Sequence, residues 1–250
     1  MTTPFHLTNK NILVTGASSG IGRQVAISAS QMGANVIITG RNEERLLETF
    51  HQLSGNKNMQ LIADLLLEKE INKLVEQLPQ LDGIVHCSGF VKPFPIKFLT
   101  ADKIAETFEV NYNAQVILMA QISRKKKINK HASIVFSSSI SANHPHKGGT
   151  LYASSKAALE SFSKVLALEF SFMGIRSNCI ASAMVKTPMY DYAEQQGSKE
   201  QMDNHIKKYP LGVGKPEYVA NTAIFLLSDA SKWMTGKTIT LDGGFLLGDF

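Results

Sequence analysis

A short apolar run, Ile12-Leu13-Val14, passes without a break into Thr15-Gly16-Ala17-Ser18-Ser19-Gly20-Ile21-Gly22 and then into an amphipathic stretch that reaches Met32. No other feature constrains the fold as strongly. An unbroken apolar run reads as a strand covered on both faces, which means a parallel sheet. Gly16 permits a tight turn, Gly20 lets a ligand approach the backbone, and Gly22 lets helix and strand pack closely. The helix then begins with free N–H groups and the positive end of its dipole, a natural seat for phosphate. A second strand, Asn35-Val36-Ile37-Ile38-Thr39, follows at the spacing a dinucleotide-binding unit needs. An ordinary glycine-rich turn is the competing reading.

The rest of the chain continues the alternation. Strands are expected over 11–14, 36–39, 60–62, 83–86, 133–136, 176–180 and 238–241. Helices are expected over 21–32, 43–53, 68–78, 101–122, 152–172 and 216–227. This predicts an α/β fold, a doubly wound, Rossmann-like parallel sheet of about seven strands with helices on both faces. With 250 residues, 44% of them hydrophobic, the chain can bury one large core, so a single domain over 1–250 is expected. The least patterned stretch, about 188–215, reads as a substrate loop or a solvated insertion.

Composition narrows the function classes. Cys87 and Cys179 make neither a disulfide framework nor a zinc-ligand spacing, so no metal site is expected. The first residues lack a signal-type apolar core, and no apolar run approaches the ~18–20 residues of a membrane span. A cytoplasmic protein with no membrane contact is therefore expected. The net charge of +5 owes much to Arg124-Lys125-Lys126-Lys127 and Lys130. That run follows a helix, where cations complement the dipole, and no nucleic-acid module accompanies it.

The chemistry concentrates later. Tyr152 and Lys156 are four residues apart, with Ser139 thirteen residues before Tyr152. On a helix, an i,i+4 pair sets phenol and ammonium a turn apart on one face. A phenol ordinarily titrates near pH ~10, and a neighbouring cation favours the phenolate. Ser139 can orient a substrate oxygen. A surface Tyr and Lys on an amphipathic helix is the alternative reading of the pair alone.

Together, the glycine loop, Asn111 in Val110-Asn111-Tyr112-Asn113, Ser139 and the Y-x-x-x-K pair resemble the short-chain dehydrogenase/reductases. The resemblance runs to Leu241-Asp242-Gly243-Gly244 and is nearest to 3-oxoacyl thioester reductases and to sugar or polyol dehydrogenases. It implies an NAD(P)-dependent carbonyl reductase or alcohol dehydrogenase. Tyr152 would be the acid and Ser139 the orienting hydroxyl. Lys156 would lower the Tyr152 pKa and bind nicotinamide ribose, and Asn111 would hold a water that links the lysine to solvent.

Cofactor residues follow from the same resemblance. Gly16, Ser18, Ser19, Gly20, Ile21 and Gly22 form the phosphate loop. Asp64, beside Leu65, matches the residue that contacts adenine, although a turn or N-cap aspartate would look the same. Ser88 and Gly89 border the cofactor, and Val185 and Thr187 reach the carboxamide. The second strand ends Thr39-Gly40-Arg41, without the acid that binds the ribose hydroxyls of NAD. Arg41 instead suits a 2′-phosphate, so NADPH is favoured and NADH remains open. Ser19 stands where many NADPH-using relatives carry a second basic residue.

Two departures stand out. His86-Cys87-Ser88 replaces two asparagines and an alanine that buttress the cofactor loop, and Ser182-Ala183 replaces a Pro-Gly turn. They motivate a competing reading as a non-catalytic dinucleotide-binding regulator. Ser141, His144, His146, Phe90, Phe94, Met189, Tyr190 and Tyr192 are expected to line the substrate pocket and suit a polar or amphiphilic small-molecule carbonyl compound. Acyl carrier protein is a candidate partner if basic residues flank the cleft. Lys130 is one candidate, but Met173 occupies the other such position. A homotetramer or homodimer, formed through 101–122, 152–172 and the C-terminal segment, is expected from the resemblance.

Overall fold

The computed structural model describes residues 3–190 and 199–248. Seven parallel strands run β1 (Asn11–Thr15), β2 (Asn35–Gly40), β3 (Met59–Ile62), β4 (Leu81–His86), β5 (Ile128–Ser139), β6 (Arg176–Ser182) and β7 (Thr238–Leu241), in the sheet order β3-β2-β1-β4-β5-β6-β7. The helices are α1 (Gly20–Gln31), α2 (Glu43–Phe50), α3 (Glu68–Gln77), α4 (Ala101–Phe108), α5 (Ala114–Arg124), α6 (Thr150–Glu169), α7 (Lys199–Ile206) and α8 (Pro216–Leu227).

Strand periodicity sorts the core into two layers. Leu13, Ile37, Ile84, Ile134 and Phe136 face one side, where Leu74, Leu118 and Leu159 of α3, α5 and α6 cover them. Ile12, Val14, Ile38, Val85 and Val135 face the other, against α1 and α8. Small residues, Ala26 and Ala29 on α1 and Ala220 and Ala223 on α8, are fully buried there. Strand order reverses between β1 and β4, so the loops after those two strands splay apart and open a crevice.

The structure corrects several expected boundaries. The single helix expected over 101–122 is divided by a π-helical turn, Glu109–Asn113, between α4 and α5. β5 begins at Ile128, because Leu81 pairs with Ile128 before a register shift, and His131 takes up the irregularity at φ 63°. The stretch 188–215 contains α7, where Met202 and Ile206 recur at helical spacing and are half-buried. In the basic run, Lys127 serves a different helix from the one it follows. Its Nζ donates to the carbonyls of Glu76 and Leu78, capping the C-terminus of α3.

Candidate active site

The C-terminal ends of the strands deliver the expected residues to one cavity of about 810 Å³. At one end lie Arg41 and Asp64, in the middle the glycine loop with Ser88 and Gly89, and beyond them Ser139, Tyr152 and Lys156. Ser18, Ser19, Ile21, Leu65, Val185 and Thr187 line the same wall. Asn111 does not line it. It stands behind Gly89, where an added Cβ would lie 3.2 Å from Asn111 Oδ1 and 3.4 Å from Lys156 Nζ.

The glycine loop is built for an anion. Gly16 and Gly20 adopt φ 64° and 54°, which an L side chain rarely tolerates. Ser19 is the N-cap residue of α1, yet its side chain makes no capping bond, so the first N–H groups of the helix remain available. Gly22 packs against the carbonyl of Gly16, so its close approach is to the loop's own backbone. Arg23 fixes the loop from outside by donating to the Ser18 carbonyl at 2.7 Å. Gly40 faces Ser18 where an acid would otherwise reach the ribose. Arg41 has a 70% exposed side chain and only a long ion pair, 3.8 Å, to Asp64. Asp64 also accepts from Leu66 N through Oδ1, so its turn-forming role is real, while Oδ2 faces Arg41. Uncapped helix, bare glycine turn and free guanidinium together fit a dinucleotide phosphate chain with an extra phosphate at Arg41.

At the other end, Ser139 closes β5. Its Oγ accepts from Ser141 N at 3.1 Å, which orients the hydroxyl and leaves its proton free to donate. Glu160 on α6 accepts from Ser138 Oγ at 2.8 Å and from Asn143 at 3.0 Å, holding the segment on both sides of Ser139. Lys156 Nζ donates to the Ser137 carbonyl at 2.7 Å and lies 5.7 Å from the centre of the Tyr152 ring. Burial lowers the Lys156 pKa to about 8. Burial pushes the Tyr152 hydroxyl up, and the Ser139 side chain, hydrogen-bonded to it, pulls it partly back. This reverses the direction expected from the lysine alone, because desolvation outweighs the Ser139 hydrogen bond and Lys156 adds no resolved pull on the phenol. Asn111 is fully committed: Oδ1 accepts from Phe90 N, and Nδ2 donates to Phe90 O and Ser155 Oγ. Its carbonyl already accepts from Gln115 at 2.8 Å. The side chain therefore positions the loop and α6, and any water would have to share the carbonyl with Gln115.

Both sequence departures have substitutes. The loop after β4 is held by Thr15 Oγ1, which accepts from Cys87 N at 3.2 Å, and by Gln115, which donates to the Ser88 carbonyl at 3.0 Å. The Ser182-Ala183 segment is pinned by Ala183 N to Leu241 O, Gly214 N to Met184 O and Lys186 N to Gly214 O. Thr187 then lies over Gly20, 3.3 Å from the position of an added Cβ.

Ser141, His144, His146, Met189 and Tyr190 line the substrate end as expected. Phe90 and Phe94 do not. Lys92 lies over the Phe90 ring and Lys103 over Phe94, while Val91 and Pro93 face the cavity. Tyr192 lies outside the described residues. The sequence reading missed Met202 and His205 of α7, Tyr209, and Phe245 near the C-terminus. Lys130 is at the opposite end of β5 from Ser139, about 30 Å away for an extended strand, and does not border the cavity.

Comparison with known proteins agrees with this geometry. A family model described as Enoyl-(Acyl carrier protein) reductase matches residues 16–246. The 3-oxoacyl-[acyl-carrier-protein] reductase FabG of Rickettsia felis is 33% identical over 242 residues, covering 96% of this chain and 98% of the relative. A short-chain type dehydrogenase/reductase from Mycobacterium ulcerans superposes with TM-score 0.88 at 29% identity, over 97% of this chain and 91% of that one. A provisionally assigned NAD(P) dependent gluconate 5-dehydrogenase from Beutenbergia cavernae, solved with NADP at low occupancy, does so with TM-score 0.88 at 26% identity, over 98% of this chain and 100% of that one. The chain belongs to the short-chain dehydrogenase/reductase family of NAD(P)-dependent oxidoreductases, which act on CH–OH and C=O groups.

Proposed function

We infer that this protein is an NADPH-dependent carbonyl reductase in which Tyr152 protonates the substrate oxygen. The observation that carries the reading is the joint placement of Ser139, Tyr152 and Lys156 at one end of a cavity whose other end holds the uncapped α1 and the free Arg41. When bound, the nicotinamide supplies the hydride. The Ser139 hydroxyl orients the ketone oxygen, and the Tyr152 phenol, protonated at neutral pH like any phenol, is the proton donor. Lys156 spends one donor on Ser137 and has further N–H groups for ribose hydroxyls and for returning a proton to Tyr152. In the reverse reaction, alcohol oxidation, the same groups work with the proton flow reversed.

A short 3-oxoacyl thioester is the first substrate class, supported by the Rickettsia relative. A sugar-derived ketone is the second, supported by the imidazole and phenol groups at the substrate end and by the Beutenbergia neighbour. The test is NADPH consumption with a 3-oxoacyl thioester and with a keto sugar acid, in wild type and Tyr152→Phe. The variant is expected to retain NADPH binding and lose about 10²–10⁴-fold in rate. A rate that persists in Tyr152→Phe would remove Tyr152 as the acid. Arg41→Ala is expected to weaken NADPH about tenfold while leaving NADH unchanged, through loss of one charge-assisted contact. Equal effects on both nucleotides would place the 2′-phosphate elsewhere.

A further inference from the structure

The substrate half of the cavity has a one-sided charge inventory. His144 and His146 line it from the segment after β5, and His205 lines it from α7. The carboxylate that lines the cavity, Asp64, sits at the far end beside Arg41. Among the described residues no carboxylate lines the substrate half. Of the described acids, Glu160 is bonded to Ser138 and Asn143 and Glu200 is exposed, while Asp191 and Glu194 lie outside the described residues. Asp242 accepts from the backbone N–H groups of Gly244 and Leu246, and Asp203 is exposed on α7. Lys147 and Lys208 flank the two histidine-bearing segments, and Lys207 bonds Asn204.

His205 is positioned, not loose. Its ring meets Tyr209 edge-on at 5.5 Å and Phe245 at 5.3 Å, and its Nε2 is 3.4 Å from the Tyr209 hydroxyl. The Tyr209 hydroxyl in turn accepts from Met184 N, also at 3.4 Å. With Nε2 turned toward Tyr209, Nδ1 has no hydrogen-bond partner among the described residues. The His144 ring has none either. Burial, with the like charges of Lys208 and His146 adding to it, holds the His205 pKa below the ordinary histidine range. Among the described residues, three imidazoles line one space with no acid beside them, and each gains if an anion enters. Met184, Met189, Met202, Ile140 and Phe245 give the rest of the wall its apolar part, and Ser141, Tyr190 and Tyr209 add neutral polar groups.

We propose that the substrate of this site is an anionic ketone, a keto acid or phosphorylated keto compound, whose negative group is received by His205 and His146 while its carbonyl lies at Ser139 and Tyr152. The proposal rests on the carbonyl-reductase reading and names the substrate class it leaves open. Binding of the anion favours the protonated imidazoles. KM for an anionic ketone should therefore rise as pH increases through a window below the ordinary histidine value of 6.5, where His205 loses its proton, whereas KM for its neutral counterpart should not.

The test pairs ketones that differ in charge: acetoacetate with methyl acetoacetate, and dihydroxyacetone phosphate with dihydroxyacetone. The measured quantity is the ratio of kcat/KM, charged over neutral, in wild type, His205→Gln and His146→Gln. A wild-type ratio above 10 that falls at least tenfold in His205→Gln, mostly through KM, is expected. The pair with the larger ratio tells carboxylate from phosphate. A ratio near 1 in wild type, or one unchanged by both substitutions, overturns the proposal. Failure of the underlying reading looks different: none of the four ketones would give Tyr152-dependent NADPH consumption. In that case calorimetric titration of the NADPH-loaded protein with acetoacetate decides the anion site. Binding weakened in His205→Gln supports it, and absence of binding overturns it.

Discussion

His86 shows what a single departure from the pattern the chain otherwise resembles does to a fold of this kind. It is fully buried, stacked on Phe136 with ring centres 4.6 Å apart, and neither ring nitrogen has a partner. Burial lowers its pKa to about 3. The unfolded chain therefore binds a proton between the ordinary value of 6.5 and about 3 that the native state refuses. Stability then falls as pH drops through that window, by about 2–3 kcal/mol between pH 6.5 and 4.5. Denaturant melts over that range should show the fall, and His86→Asn should flatten it; an unchanged slope would mean the imidazole is hydrated in the native state. Lys156 gives the opposite limb. With its pKa near 8 in the free protein, the ammonium is lost above that pH, so kcat/KM for ketone reduction is expected to hold from pH 6 to 7 and decline past about 8. The identity of Ser139, Tyr152 and Lys156 was legible in the sequence because their spacing carries a pattern. The direction of the Tyr152 shift was not, because it depends on how completely α6 and β5 bury the hydroxyl, and pairwise spacing says nothing about that.

At the scale of elements, the π-turn between α4 and α5 is the feature that sequence periodicity hides. Apolar residues continue across Glu109–Asn113 at helical spacing, so the stretch reads as one helix, yet the wider turn presents the Asn111 carbonyl to Gln115 and its side chain to Phe90 and Ser155. Gln115 then joins the Asn111 and Ser88 carbonyls through one amide. Removing it leaves two buried carbonyls short of a donor, about 1–3 kcal/mol each, offset in part because its own Oε1 is unpaired. Gln115→Leu is expected to weaken NADPH binding roughly tenfold, a loss of about 1.4 kcal/mol, with Tm lowered by a few degrees. Fluorescence titration of the nucleotide checks the first expectation and calorimetry the second. The glycine loop, by contrast, was legible as an element, since strand, turn and helix adjoin in sequence. The substitute buttresses were not, because Thr15, Gln115 and Gly214 lie far along the chain from the segments they hold.

At the scale of the whole molecule, the sheet and its two apolar layers follow from the alternation of short apolar runs and amphipathic stretches. The substrate end does not, since α7 and Phe245 meet only after the last strand has docked. One outer face is also unfinished. Val165, Leu168 and Phe172 recur along α6 and the turn after it and are 44%, 76% and 82% exposed. Assembly of copies of the chain through this face predicts that Leu168→Glu yields a smaller species by light scattering than the wild-type chain. An unchanged mass would leave this face without that role. The ties that replace the Pro-Gly turn have a different consequence. Ala183 hangs on Leu241, and Met184 on Gly214 and Tyr209. α8, which covers one face of β1 and β2, is made in the same late stretch of the chain as these partners. Capacity to hold nucleotide should therefore appear in nascent chains only after residues 214 to 241 have emerged, together with their resistance to proteolysis.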